Sequence, residues 1–412
     1  MISRRSFTAM ALGMVGVGIS GCGTGGGGFQ VPGASAPPPR KVPDAGWDAW
    51  VASYRGRAMA RGISPSTFDA AFRDAGYIPE IIEKDRNQTE FKRSLEDYLS
   101  IAASDERIRM GRENRARYSN LLAGIEQRYG VEPHVVTAFW GLESYYGTRQ
   151  GNVPVVSALS TLAYDGRRGA FFEQQLDAAL RILQSGDITP ARMTGSWAGA
   201  MGQTQFIPTT YIESAVDFDG DGRRDIWSDD PADSLASTAN YLRRAGWRHG
   251  LPWGMEVVLP AGFDRNLLGR GKGRSAADWA AMGVSRAGGG TLAAGSIIQP
   301  QGAGTPAFLL TSNFDVILRY NNAQNYAIGI GYLSDLINGA GPLKSGFGAD
   351  ENGLTKADRQ EMQRLLNRHG FEVGEADGVF GAKTQAAIED FQRSRGLPAT
   401  GTPSPQLLSM LR

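Results

Sequence analysis

The chain reads as mainly α, and three observations predict it. Apolar residues recur at three- and four-residue intervals in blocks between Trp47 and Ile337, the repeat of a helix with one buried face. Residues 255 to 311 differ, being Gly-rich with short β-prone pieces. A compact stretch from residue 353 to 412 then restores helical spacing.

In order, Phe68, Ala71 and Phe72, then Phe91, Leu95, Tyr98 and Leu99, carry the helical pattern of Trp47 to about Arg128. Ser64-Pro65 sets a proline at the first position of one helix. A second helical block spans Pro133 to Tyr146, a third about 169 to 184 and a fourth about 231 to 245. Met255 to Leu259 and Ala307 to Leu310 are the β-prone pieces, and helical spacing returns from Asn313 to Ile337. Residues 339 to 353 have linker composition, and no tandem repeat is present.

A length of 412 residues suggests two or three domains. The charge is nearly balanced, 43 Lys and Arg against 42 Asp and Glu, which leaves no electrostatic footprint for nucleic acid. One cysteine excludes an internal disulfide framework and a Cys-based zinc site. His134, His249 and His369 are too scattered for a His-rich metal centre. After residue 21 no apolar run is long enough to span a bilayer.

Residues 1 to 21 combine Arg4 and Arg5 with an apolar stretch from Phe7 to Ile19, the pattern of an export signal. Ile19-Ser20-Gly21-Cys22 resembles the lipobox of bacterial lipoproteins, which makes Cys22 the expected acylated first residue of the mature chain. Ser3-Arg4-Arg5-Ser6-Phe7 also resembles a twin-arginine export motif. The residue after Cys22 is Gly23 rather than the aspartate of an inner-membrane retention signal, so an outer-membrane anchor on the periplasmic side is expected. Cleavage removes two arginines and no acid, so the mature charge stays near zero. Residues 22 to 45, rich in Gly and Pro, read as a tether.

Glu143 is the most informative carboxylate. It sits near the end of the block Pro133 to Tyr146, with Gly147 as the expected stop. Tyr146, Phe139 and Val136 share its helical face. A carboxylate among apolar side chains is costly unless paired or protonated. Burial and the negative helix end both push its pKa upward, which suits a general acid. A surface glutamate paired with Arg149 is the plainer reading.

The run Gly141-Leu142-Glu143-Ser144-Tyr145-Tyr146-Gly147 is followed by Ser196-Trp197-Ala198-Gly199-Ala200-Met201-Gly202-Gln203-Thr204-Gln205-Phe206-Ile207-Pro208 and later by Arg319-Tyr320-Asn321-Asn322. Together, over roughly residues 46 to 340, these resemble the membrane-bound lytic murein transglycosylase B family. The resemblance implies a lysozyme-like (α+β) catalytic domain that cleaves the MurNAc-GlcNAc bond of peptidoglycan without water, with Glu143 as acid and then base. It implies glycan contacts at Ser196, Gln205, Tyr320, Asn321 and Tyr326, and more loosely at Tyr98. Phe171 stands where a relative carries Tyr, which would keep sugar stacking and lose a hydroxyl. Core packing is the plainer reading of each aromatic.

Asp217-Phe218-Asp219-Gly220-Asp221-Gly222-Arg223 follows the D-x-D-x-D-G spacing of a calcium loop. Gly222 permits the sharp turn, and Arg223 offers its carbonyl. The twelfth position is Ser228 rather than the usual glutamate; the family resemblance implies Asp233 as the later carboxylate, displaced by one extra residue between Trp227 and Pro231. A structural calcium ion and no catalytic cofactor are therefore expected, and a solvated acidic turn is the alternative.

After a linker over residues 341 to 352, residues 353 to 412 contain Asp377-Gly378-Val379-Phe380-Gly381, Thr384, Ala386-Ala387-Ile388 and Phe391-Gln392. This pattern resembles the small three-helix peptidoglycan-binding domain. A generic helical bundle is its alternative. For the whole protein, a hydrolytic muramidase and a non-catalytic scaffold are the competing readings; the first needs a second carboxylate across the cleft.

Overall fold

The computed structural model describes residues 39–86 and 94–412. Cys22, the export segment and Phe91 lie outside the described residues. In chain order the elements are α1 (Ala45–Ala60), α2 (Pro65–Phe72), α3 (Pro79–Arg86), α4 (Leu95–Ala102), α5 (Asp105–Arg117), α6 (Ser119–Tyr129), α7 (Pro133–Ser144), β1 (Val153–Pro154), α8 (Val155–Asp165), α9 (Gly169–Ser185), β2 (Thr194–Gly195), α10 (Pro208–Ser214) and α11 (Ala232–Arg244). They continue with β3 (Gly254–Val258), α12 (Ala276–Ala281), β4 (Ser285–Arg286), β5 (Ser296–Ile298), β6 (Ala307–Leu310), α13 (Ser312–Tyr320), α14 (Gln324–Ile337), α15 (Lys356–Arg368), α16 (Ala382–Ser394) and α17 (Pro405–Leu411).

Local chemistry sets many of these boundaries. Ser64 Oγ accepts the Thr67 amide at 3.1 Å and starts α2, as Asp44 does for α1 through Trp47. The helical spacing from Asn313 to Ile337 belongs to two helices rather than one. Asn321 Oδ1 accepts the Ala323 amide at 3.1 Å, and this local side-chain bond replaces helical pairing between α13 and α14. Helix α8 was not expected from the pattern. Its residues from Val155 to Ala163 are all buried, so no polar stripe marks a period. Two of its polar groups are used inside the core: Ser157 Oγ takes the Gly76 amide and Thr161 Oγ1 the Ile78 amide, both at 3.1 Å.

The chain forms two compact units. The first lies within Met1–Lys92, Asp105–Gly250 and Asp315–Asn338, and the second within Arg93–Ser104, Leu251–Phe314 and Gly339–Arg412. This division differs from the sequence-based one, because residues 251–314 group with the C-terminal segment instead of with residues 105–250. In the first unit α8 and α9 pack side by side around Leu159, Leu176, Leu180 and Phe206. Burial of each such side chain contributes about 1.5–3 kcal/mol.

The second unit has two cores. One is an antiparallel sheet of order β4-β3-β6-β5, with Leu309 opposite both Met255 and Ile297. Trp279 of α12, wholly buried, packs in this core and donates Nε1–H to the Gly295 carbonyl at 2.9 Å. The other core joins α15, α16 and α17 through Met362, Leu366, Ile388, Phe391 and Leu408. Arg359 of α15, 5% exposed at its side chain, bonds Glu96 at 2.6 Å, Asp97 at 3.1 Å and Asp350 at 3.0 Å. It also donates to the Gly378 carbonyl at 2.7 Å. Gly378 itself has φ +81°, and Lys356 Cγ would lie 2.9 Å from a Cβ there, so the Asp377-Gly378 turn requires glycine.

Candidate active site

Helix α7 starts with Pro133 in its first turn and then runs through the interior, with every residue from Val135 to Ser144 buried. Glu143 is its only acidic residue and is 7% exposed. The helix stops at Ser144, two residues earlier than the sequence suggests. Tyr145 and Tyr146 have φ of 54° and 59°, a region most non-glycine residues avoid. Their amides reach back to Gly141 O and Trp140 O, each at 3.2 Å. Tyr146 is held there by close packing. A Cβ on Gly141 would fall 2.6 Å from its ring, and its hydroxyl donates to Arg107 O at 2.6 Å. Strain of this kind persists only where the surroundings enforce it.

The hydroxyl of Tyr326, on α14, donates to Glu143 Oε1 at 2.5 Å. Both side chains are buried. Tyr320, at the end of α13, packs on Phe139 at a centroid distance of 4.7 Å and donates its hydroxyl to Thr204 O. Burial first, and then the charge of Glu143, push the Tyr320 phenol well above its usual 10. Its hydroxyl is therefore a neutral donor to the Thr204 carbonyl. Asn321 is 5% exposed and carries the turn into α14.

The segment after β2 supplies the polar groups. Ser196 Oγ accepts the Ala200 amide at 3.0 Å, and the Ser196 amide donates to Ala200 O at 2.8 Å. Gln205 is the third non-glycine residue with positive φ, at 56°. Its Nε2 donates to Gln150 O at 2.9 Å and to Gly202 O at 2.7 Å. Its Oε1 is buried and has no hydrogen-bond partner. Buried acceptors are normally paired, so this one is available to a ligand N–H or O–H. Three such non-glycine residues, Tyr145, Tyr146 and Gln205, occur among the described residues. No sequence pattern signals them.

The acidic loop brings three of its aspartates together. Oxygens of Asp217, Asp219 and Asp221 lie within 4.8 Å of one another. Gly222, at φ +89°, donates its amide to Asp217 Oδ2 at 2.9 Å. An all-oxygen cluster of this kind suits a hard divalent cation. Asp233 is placed differently: Oδ1 accepts the Phe218 amide at 2.7 Å and Oδ2 the Asp225 amide at 2.8 Å, bracing both ends of the loop from α11. Burial raises the Asp233 carboxyl to about 6 despite those two amides. Arg223 is fixed through its own amide on Asp221 Oδ1 at 2.8 Å. Phe171 packs edge-on against Phe172 at 5.2 Å and onto the core of the first unit. Tyr98 lies on α4 in the second unit and is half-buried.

Residues 46–335 match the Transglycosylase SLT domain family, and residues 355–411 match the peptidoglycan binding domain family. The chain is 31% identical over 229 residues to membrane-bound lytic murein transglycosylase B of Escherichia coli strain K12, covering 54% of this chain and 61% of that relative. It is thus similar to somewhat less than two thirds of the relative's length. The crystal structure of SltB3 from Pseudomonas aeruginosa in complex with NAG-NAM-pentapeptide superposes with a TM-score of 0.72 at 45% identity, over 90% of this chain and 100% of that one. The same protein in complex with NAG-anhNAM-pentapeptide gives the same values. Escherichia coli lytic transglycosylase Slt35 in complex with calcium gives 0.60 at 26% identity, over 71% of this chain and 93% of that one.

Proposed function

The chain belongs to the Transglycosylase SLT domain family, and on that premise we propose that it is a lytic transglycosylase that cleaves the β-1,4 bond between MurNAc and GlcNAc of peptidoglycan. One observation carries the reading: Glu143, a buried carboxylate held by the Tyr326 hydroxyl inside the matched region. Glu143, protonated, donates to the glycosidic oxygen as the C1–O bond breaks. The substrate's own N-acetyl oxygen stabilises the cationic C1 in place of a second enzymic carboxylate. The ionised carboxylate then removes the proton from the C6 hydroxyl, whose oxygen bonds to C1 and closes the 1,6-anhydro ring. The proton ends on Glu143, and no water is consumed. The anhydro sugar named in the SltB3 complex is a ligand of this kind.

Ser196, Gln205, Tyr320, Asn321 and Tyr326 are the proposed glycan contacts around Glu143, with the unpaired Gln205 Oε1 as the acceptor for a sugar N–H or O–H. Hydrolysis by the two-carboxylate route needs a second working carboxylate. The other buried carboxylates among the described residues are committed elsewhere: Asp85 to Arg167 and Arg168, Asp177 to Tyr54 and Arg61, Asp187 to Arg224, and Asp233 to two amides. The C-terminal module binds peptidoglycan and raises the local concentration of substrate. Asp217, Asp219 and Asp221 hold a structural calcium ion, consistent with the calcium complex of Slt35; when bound it supplies rigidity to the loop and takes no part in bond cleavage. Cys22 carries the lipid that anchors the protein on the periplasmic face of the outer membrane.

Mass spectrometry of muropeptides released from purified sacculi tests the reading. Anhydro ends are expected from the wild type and none from Glu143→Gln; reducing ends alone would establish hydrolysis instead. Cys22→Ala is expected to move the protein from the membrane fraction to the soluble fraction.

A further inference from the structure

Gln203 lies between Gly202 and Thr204 and is 2% exposed. A polar side chain so deeply buried must satisfy all its groups or destabilise the fold. It does so in a directional way. Its two acceptors face α7: Oε1 takes Trp140 Nε1–H at 2.7 Å, and its carbonyl takes the Ser144 hydroxyl at 2.5 Å. Its two donors face the closing end of the acidic loop: Nε2–H reaches Ser228 O at 2.6 Å, and the backbone amide reaches Ile226 O at 3.0 Å. Trp140 and Ser144 flank Glu143 in the last turn of the helix.

Both ends of this connection are themselves fixed. Ser144 Oγ also accepts the Gly147 amide at 2.8 Å, securing the strained turn after the helix. A Cβ at Gly147 would fall 2.5 Å from Gln203 Oε1. On the loop side, the amides of Trp227 and Ser228 bond Asp225 Oδ1, at 2.9 and 3.1 Å, and the Asp225 amide bonds Asp233. Ser234 Oγ shares Ile226 O at 2.9 Å. The loop holding Asp217, Asp219 and Asp221 thus runs without interruption into the two carbonyls that Gln203 grips.

Resting on the function proposed above, we propose that Gln203 is a positioning residue that ties the turn bearing Glu143 to the acidic loop, so that a divalent cation in the loop and the setting of the carboxylate are energetically coupled. A coupling of this sort is felt from both sides. Loosening Gln203 weakens the cation as well as the chemistry. A residue that merely filled space would move neither selectively.

The test compares the wild-type full chain with Gln203→Met and Gln203→Glu. Methionine keeps the length and loses every side-chain bond. Glutamate keeps the acceptor for Trp140 and loses the donor for Ser228 O, so it cuts the connection on the loop side alone and stands in if the methionine variant fails to fold. Calcium affinity is read by titration calorimetry, and kcat and KM by product release from solubilised glycan strands at saturating calcium. In both variants calcium affinity is expected to fall about tenfold and kcat about tenfold, the scale of one buried hydrogen bond, with KM changed less than about twofold. Wild-type calcium affinity in both variants, or no calcium binding by the wild type, overturns the coupling. A lowered kcat with unchanged calcium affinity also overturns it. The calorimetric arm does not depend on which product forms, so a failure of the transglycosylase reading shows separately, as absence of anhydro ends from the wild type.

Discussion

Replacing Tyr326 by phenylalanine removes one oxygen and leaves the ring in place. That oxygen lies 2.5 Å from Glu143 Oε1, and the two side chains are 3% and 7% exposed, so water does not readily replace the lost donor. A hydrogen bond to an ionised group contributes about 1.5–3 kcal/mol. The phenol supports the ionised carboxylate, the form that must accept the C6 hydroxyl proton. If breaking of the glycosidic bond, the step that turns the protonated acid into the carboxylate, limits turnover, kcat falls by about 10- to 150-fold. The ring still packs at 6.4 Å from Phe139, so KM changes by less than about twofold. Because the missing donor favoured the ionised form, Glu143 keeps its proton to higher pH and the alkaline limb of the kcat profile moves upward. Initial rates of anhydro-muropeptide release across a pH series measure both effects. A folded Tyr326→Phe enzyme with an unshifted profile and kcat within about twofold of wild type refutes the assignment of Tyr326 as the support of Glu143.

Gly141→Ala sets two effects against each other: alanine gains about 1 kcal/mol of helix propensity, but its Cβ would lie 2.6 Å from the Tyr146 ring. The ring cannot retreat, because its hydroxyl is fixed on Arg107 O, so overpacking of about 1–3 kcal/mol prevails and both urea stability and activity fall. Asp187 is pushed up by burial, but the hydrogen bonds from Arg224 and Ser185 outweigh this and hold its carboxyl below the usual 3.8. A depressed acid stabilises the fold above its unfolded pKa and is lost as pH falls through the folded one. Asp187→Asn therefore costs about 2 kcal/mol at neutral pH, and the gap in denaturant midpoint closes below 3.8; a gap that persists unchanged in acid contradicts the ion pair with Arg224. In the second unit, Arg359→Met leaves Glu96, Asp97 and Asp350 facing one another without their cation. A loss of about 3 kcal/mol is expected in the calorimetric transition of that unit, relieved when Glu96→Gln and Asp97→Asn are added.

Much of the fold was legible in residues a few places apart. Ser64-Pro65 marked the start of α2 because a cap is a local hydrogen bond, and the β-prone pieces beginning at Met255 and Ala307 became the paired strands β3 and β6. Helix α8 escaped because burial on all sides erases the period. The turn at Tyr145 and Tyr146 escaped because positive φ without glycine is imposed by packing from α5 and α7. The acidic loop showed its first three carboxylates in their spacing, but the brace role of Asp233 depends on where α11 docks.

By itself, then, the sequence determined the helical segments that keep one polar face, which carboxylate lies on an apolar face, and which loop gathers three aspartates, since each is settled within one or two turns of chain. Tertiary structure alone decided that Tyr326 meets Glu143 across 183 residues and that Gln203 joins α7 to the acidic loop across intervals of 63 and 25. The physical reason is that contacts at such separations follow from how helices pack around a shared core, and no local preference records them.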